Sequence, residues 1–224
     1  AWISGVKKNI QTFKYGILPF CLLCGLVGVI LLAQPDTDTY VILAGTALGM
    51  FAISGGKWKH IASVILIALI ALSIVAYTRP YIRERLMVFI HPTHDQLGSS
   101  YQLNQSLIAI GSGGFMGAGL GQSRQKYQYL PEVQADSIFA VIAEEMGFVL
   151  TLGFLCLFLL FIQRGLKIAK NSDDVFARFL VTGIMIWFIS QAFLNIAAMV
   201  GLMPLTGVPL PFVSHGGTAL AIAL

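Results

Sequence analysis

Five runs of mostly apolar sequence, at residues 15–34, 39–54, 60–78, 146–162 and 179–200, limit what this chain can fold into more than any other feature. A helix crosses the hydrocarbon of a bilayer with about 20 apolar residues. Each run is near that length, and several carry glycine, as spanning helices often do. A sixth run begins near Pro211 and is still apolar at Leu224. Charged residues make up only 11% of the chain, against roughly a quarter in soluble domains. The expected fold is therefore all-α, a polytopic membrane protein with about five complete transmembrane helices and a truncated sixth. It forms one domain over 1–224, with a large extracytoplasmic loop at 79–137 carrying short helices. The chain has no initiator Met and ends in mid-run at ALAIAL. The expectation is a fragment, with spanning helices before Ala1 and the rest of the last one lying outside it.

The basic residues orient these runs. Lys7, Lys8 and Lys14 precede the first, Lys57 and Lys59 separate the second from the third, and Arg164, Lys167, Lys170 and Arg178 separate the fourth from the fifth. Alternating crossings put all of them on one side, which the positive-inside rule makes cytoplasmic. The loop at 79–137 then faces outward. Cys21 and Cys24 have CxxC spacing but lie inside an apolar run without companion ligands, so they read as small buried thiols. The net charge of +4 comes mostly from the inner loops and implies no nucleic-acid partner.

The outward loop is polar and glycine-rich in a chain otherwise built for lipid. Arg79, Arg83 and Arg85 alternate with apolar groups in RPYIRERLMVF. They suit either anchoring to lipid headgroups or bidentate binding of a lipid-borne diphosphate. His91, His94 and Asp95 read as a solvated loop, because Pro92 breaks the helix that would align the two histidines on a metal. Residues 101–110 predict a short amphipathic helix at the surface. It runs into glycines at 111, 113, 114, 117, 119 and 121, a pattern with no Walker signature and no preceding strand. Those glycines fit close backbone approach to a ligand, N–H groups aimed at an anion, or a tight helix-packing turn. Asp136 stands just before the fourth apolar run, where a carboxylate can cap a helix. Glu144 falls two turns on, near the same face. Carboxylates at a lipid boundary belong against protein or a water-filled cavity. Acidic residues opposed to arginines around a glycine-rich turn suggest general-base work on a phosphate-bearing substrate.

The stretches at 101–147 (YQLNQSLIAIGSGGFMGAGLGQSRQKYQYLPEVQADSIFAVIAEEMG) and 195–218 (NIAAMVGLMPLTGVPLPFVSHGGT) resemble the SEDS family of RodA, FtsW and SpoVE. QPDTDT at 34–39 and RERLMVFIHP at 83–92 are similar to two further family motifs. SRQKYQYLPE is most like the FtsW and SpoVE branch. The chain departs from the family pattern at Gln134, Ala135 and Ser137 (PEVQADSIF for PE-x-HTDFIF), at His215 (SHGG for SYGG) and at Asp38–Thr39, where the family glycine is lacking.

The resemblance implies a peptidoglycan glycosyltransferase of the bacterial cytoplasmic membrane, with its active site facing outward. Such an enzyme polymerises lipid II, an undecaprenyl-diphosphate disaccharide-pentapeptide, alongside a class B penicillin-binding protein and other divisome proteins. The family's essential aspartate matches Asp136, the expected general base. Arg83, Arg85, Arg124, Lys126, Gly113, Gly114, Glu132, Glu144 and Ser214 are the expected substrate- and diphosphate-binding residues. Mg²⁺ or another divalent cation would bridge the diphosphate, and no organic cofactor is called for. Two alternatives are a lipid II flippase, which predicts paired half-helices and intramembrane charges, and a non-catalytic scaffold for a penicillin-binding protein, in which Asp136 is replaceable.

Overall fold

The structure, a computed structural model, describes residues 2–6, 10–92 and 100–215. Lys7, Lys8, His94, Asp95 and most of the sixth apolar run lie outside the described residues. Among those described, the regular structure is helical: α1 (Trp2–Val6), a π-helical turn (Phe13–Ile17) leading into α2 (Leu18–Ala33), α3 (Thr37–Ile53), α4 (Trp58–Thr78), α5 (Pro80–Ile90), α6 (Tyr101–Gly113), α7 (Gln125–Gln128), α8 (Ile138–Asn171) and α9 (Val175–Met199). Four of the described segments are long and apolar enough to cross a membrane: Phe13–Ala33, Trp58–Thr78, Ile138–Asn171 and Val175–Met199. The second expected span, α3, is a shorter apolar helix. The fold is that of a multi-pass, all-helical membrane protein.

Local chemistry sets the helix ends. Asp36 begins α3 by accepting the Thr39 N–H at 3.1 Å, and Asp174 begins α9 by accepting from Phe176 and Ala177, each satisfying N–H groups that have no partner in the helix. Pro80 forces Arg79 into an extended conformation, which separates α4 from α5. α9 stops at Gly201, whose φ of +74° suits a residue without Cβ. The Leu202 and Gly201 N–H groups return to the carbonyls of Ala197 and Ala198, the pairing that closes many helices. The fourth run extends past its expected end. α8 carries Arg164, Lys167 and Lys170 in its closing turns, where cations complement the helix dipole.

The chain divides into two compact units. The first comprises Ala1–Val75 and Phe161–Ser190. Its core holds Ile10, Phe20, Phe51 and Ile61, with the Phe20 and Phe51 rings 4.9 Å apart. Cys21 and Cys24 pack there as free thiols.

The second unit, Ala76–Leu160 with the chain from Gln191 on, carries the expected site. Its core joins Phe139 to Ala192, Ala198, Met199 and Leu210. A neighbouring cluster joins Ala109, Leu130, Ala140 and Val141. α6 buries Leu103, Ser106, Ala109 and Gly113, a spacing of three and four that lies on one helix face. Gly147, with φ 72° and ψ −179°, interrupts α8. Such a break leaves carbonyls and N–H groups without helical partners, and the glycine-rich segment supplies them. Ala118 and Gly119 donate to the carbonyls of Glu144 and Glu145, while Phe148 and Val149 donate to the carbonyls of Gly114 and Phe115. A Cβ at Gly113, Gly117 or Gly147 would collide with the facing backbone. Of the readings open from sequence, the structure shows these glycines packing a helix break.

Candidate functional site around Asp136

Asp136 sits two residues ahead of α8, at the end of a turn in which the Glu132 carbonyl accepts from Ala135 and Ser137. Glu132 holds a φ of +47°, a left-handed conformation that costs a non-glycine residue about 1 kcal/mol or more and is concentrated at functional sites. Two long-range contacts fix this turn. Asn195, fully buried in α9, donates Nδ2 to the Asp136 carbonyl at 2.7 Å and to the Val208 carbonyl at 2.7 Å. The His215 N–H donates to the Gln134 carbonyl at 2.7 Å. Gln134 and His215, two of the departures from the family pattern, are thus joined through main chain.

The Asp136 side chain lines a cleft of about 250 Å³ together with Tyr81, Glu84, Arg85 and Val88 of α5, Gln102 of α6, and Leu205 and Thr206 beyond α9. Asp136 is 9% exposed, and its Oδ1 has no hydrogen-bond partner among the described residues. Burial pushes its carboxyl above the usual aspartate range, and the Glu132 carboxylate adds to this. Hydrogen bonding to its own backbone and to Gln102, and the Arg85 charge, pull the other way. Gln102 Nε2 also donates to Ser137 Oγ at 3.1 Å. Arg85 stacks on the Tyr81 ring, 4.2 Å from its centroid. A carboxylate with a raised affinity for protons, an unpartnered acceptor atom and a neighbouring guanidinium can take a proton beside a bound anion.

The structure brings Asp136 and Arg85 into one cleft, with Glu132 near enough to act on the carboxyl. It gathers other expected residues elsewhere. Glu144, 3% exposed, accepts from Ser123 Oγ at 2.5 Å and from the Arg124 N–H at 3.0 Å. Lys126 pairs with Glu145 at 2.6 Å, a bond that raises the lysine's proton affinity. Arg83 is exposed, and neither it nor the Arg124 side chain lines the Asp136 cleft. Gly113 and Gly114 serve the α8 break. Ser214 Oγ accepts the Leu210 N–H at 2.7 Å and closes a turn. Asp136 Oδ1 caps no helix N–H and is buried without a hydrogen-bond partner among the described residues. Sequence reasoning does not single out Tyr81, Glu84, Gln102, Asn195, Leu205 or Thr206. For Asn195 the legible signal is an amide inside an apolar helix, four residues after Gln191. Among the described residues no group of three or more His, Cys, Asp or Glu side chains could hold a metal ion.

All 224 positions, residues 1–224, match the family described as Cell cycle protein, FtsW/RodA/SpoVE. The chain is 38% identical over 223 residues to stage V sporulation protein E of Bacillus subtilis (strain 168), covering 100% of this chain and 61% of that protein. It is 41% identical over 226 residues to the probable peptidoglycan glycosyltransferase FtsW of Idiomarina loihiensis, covering 100% of this chain and 55% of that one. It thus spans less than two thirds of the length of these curated relatives. A chain from a solved structure described as "Structural coordination of polymerization and crosslinking by a peptidoglycan synthase complex" shares the fold, with a TM-score of 0.75 and 24% identity over 99% of this chain and 63% of that one. The chain belongs to the FtsW/RodA/SpoVE family of cell cycle proteins.

Proposed function

We propose that the protein containing this chain is a peptidoglycan glycosyltransferase that polymerises lipid II in the bacterial cytoplasmic membrane, with Asp136 as general base. The observation that carries this reading is a buried carboxylate with an unpartnered oxygen, set in one cleft with Arg85. The GlcNAc 4-hydroxyl of the acceptor attacks the MurNAc anomeric carbon of the growing chain. The hydroxyl proton passes to Asp136, the anomeric carbon–oxygen bond breaks with inversion, and the diphosphate leaves with the electron pair. Diphosphate is a good leaving group, so it needs charge stabilisation more than protonation. Arg85 supplies that charge in the cleft. Proton transfer of this kind contributes about 10²–10⁴ in rate.

The distribution of Lys14, Lys57, Lys59, Arg164, Lys167, Lys170 and Arg178 supports an outward-facing site. Relatives named probable peptidoglycan glycosyltransferase FtsW, and a neighbour from a peptidoglycan synthase complex, support a class B penicillin-binding protein and other division proteins as partners. The test is incubation of the full-length protein and its partner with lipid II, with glycan read on gels. Polymer is the expected product. Translocation of labelled lipid II across vesicles without polymer would overturn the reading in favour of a flippase.

A further inference from the structure

We propose that Gln102 is a positioning residue for the Asp136 carboxylate and is itself held in place by the Ser137 hydroxyl. This rests on the glycosyltransferase reading and deepens it. Asn195 fixes the Asp136 main chain through its carbonyl, but that bond leaves the carboxyl free to turn about the side-chain torsions. A general base must hold its oxygen within hydrogen-bond reach of the proton it takes, so the carboxyl itself needs a partner. Gln102 is placed to be that partner. It lines the same cleft as Asp136, and its Nε2 donates at 3.1 Å to the Oγ of Ser137, the very next residue. An ionised carboxylate only accepts, and a side-chain amide nitrogen carries two protons. One proton goes to Ser137 and the other to Asp136. Burial disfavours the charged form of the Asp136 carboxyl, and the Gln102 bond draws it back.

Both ends of this bridge are anchored. Gln102 lies in the first turn of α6, its carbonyl accepts from Ser106 Oγ at 2.9 Å, and Leu103 beside it is buried. Ser137 is fully buried. Its N–H donates to the Glu132 carbonyl, and its own carbonyl accepts from Ala140 at the start of α8. An amide held by a rigid hydroxyl presents its second proton in a fixed direction, as an orienting residue requires. Ser137 is also one of the departures from the family pattern, and this bond gives that departure a role. The other titratable groups facing Asp136 are Tyr81, Glu84 and Arg85 of α5 and Glu132 of its own turn. Among the cleft-lining residues, α6 and the stretch at 205–206 bring none.

The experiment titrates the Asp136 carboxyl by infrared difference spectroscopy in the full-length protein in nanodiscs, with Asp136→Asn identifying its band. Wild type is compared with Gln102→Met, Ser137→Ala and the double variant. Gln102→Met keeps the side-chain length and removes the amide donor, so Asp136 is expected to titrate at higher pH than in wild type. Ser137→Ala removes a single hydroxyl and should move the titration the same way by less. Because Ser137 acts through Gln102, the double variant should titrate like Gln102→Met alone. With lipid II and the partner present, Gln102→Met should lower kcat about tenfold, the effect of one hydrogen bond to a charged group, and keep KM within about threefold. A titration left unmoved by Gln102→Met or by Ser137→Ala, or shifts that simply add in the double variant, would overturn the assignment. Should the wild type fail to polymerise lipid II, the glycosyltransferase reading fails, and the titration still decides whether Gln102 holds Asp136.

Discussion

The side-chain amide of Asn195 spends both of its protons on main-chain carbonyls, one on Asp136 and one on Val208, each at 2.7 Å. Its Oδ1 stays buried without a partner among the described residues. Asn195→Leu would remove that one unpaired acceptor and leave two others. The net cost is one further buried unpaired group, about 1–3 kcal/mol. Thermal unfolding of the full-length protein in detergent should show the corresponding fall in Tm, with lower polymerase activity at temperatures where the variant is still folded.

Asp136 carries a pH signature. Burial raises its proton affinity in the folded protein above that of an ordinary aspartate. The folded state therefore holds the proton more tightly than the unfolded one. Its contribution favours the fold at low pH and is lost as pH rises from the ordinary aspartate range through the raised folded pKa. Asp136→Asn should be at least as stable as wild type at neutral pH. The acidic limb of the wild-type activity profile should lie above the normal aspartate pKa.

Gly117 and Gly147 have positive φ angles of 83° and 72°, and a Cβ at either would run into facing backbone. Gly117→Ala and Gly147→Ala should each cost about 1–3 kcal/mol or more. A Cβ added at Gly153 would meet nothing within 4 Å. Gly153→Ala, in a helix, should be neutral or stabilising by up to about 1 kcal/mol. Detergent melting curves of the three variants check the order.

Glu144 tests whether a second carboxylate does chemistry. Its oxygens hold Ser123 Oγ and the Arg124 N–H, a pairing that an amide can reproduce. Glu144→Gln should keep polymerase activity within about tenfold, since one hydrogen bond is weakened rather than lost. Glu144→Ala should instead loosen residues 121–128, read as faster limited proteolysis there.

Features set by local chemistry were legible in the sequence. The short helix from residue 101 and the place of Asp136 before an apolar run both appear in the structure as expected. The cleft itself was not legible, because its walls come from stretches far apart in the chain: Arg85, Gln102, Asp136 and Thr206. Cations alone did not reveal which of them would share a cavity. Lys126 finds its carboxylate on Glu145 rather than on Asp136, and only tertiary packing decides that choice. The glycine-rich stretch was legible as a place of close approach. What it approaches, the interrupted backbone of α8, depended on the break at Gly147.

The most direct measurement is lipid II polymerisation by the full-length protein with its penicillin-binding partner, wild type against Asp136→Asn, read as glycan length. Long glycan from wild type and a loss of about 10²–10⁴ in rate for the variant is the predicted result. Glycan made by Asp136→Asn at the wild-type rate would contradict the account.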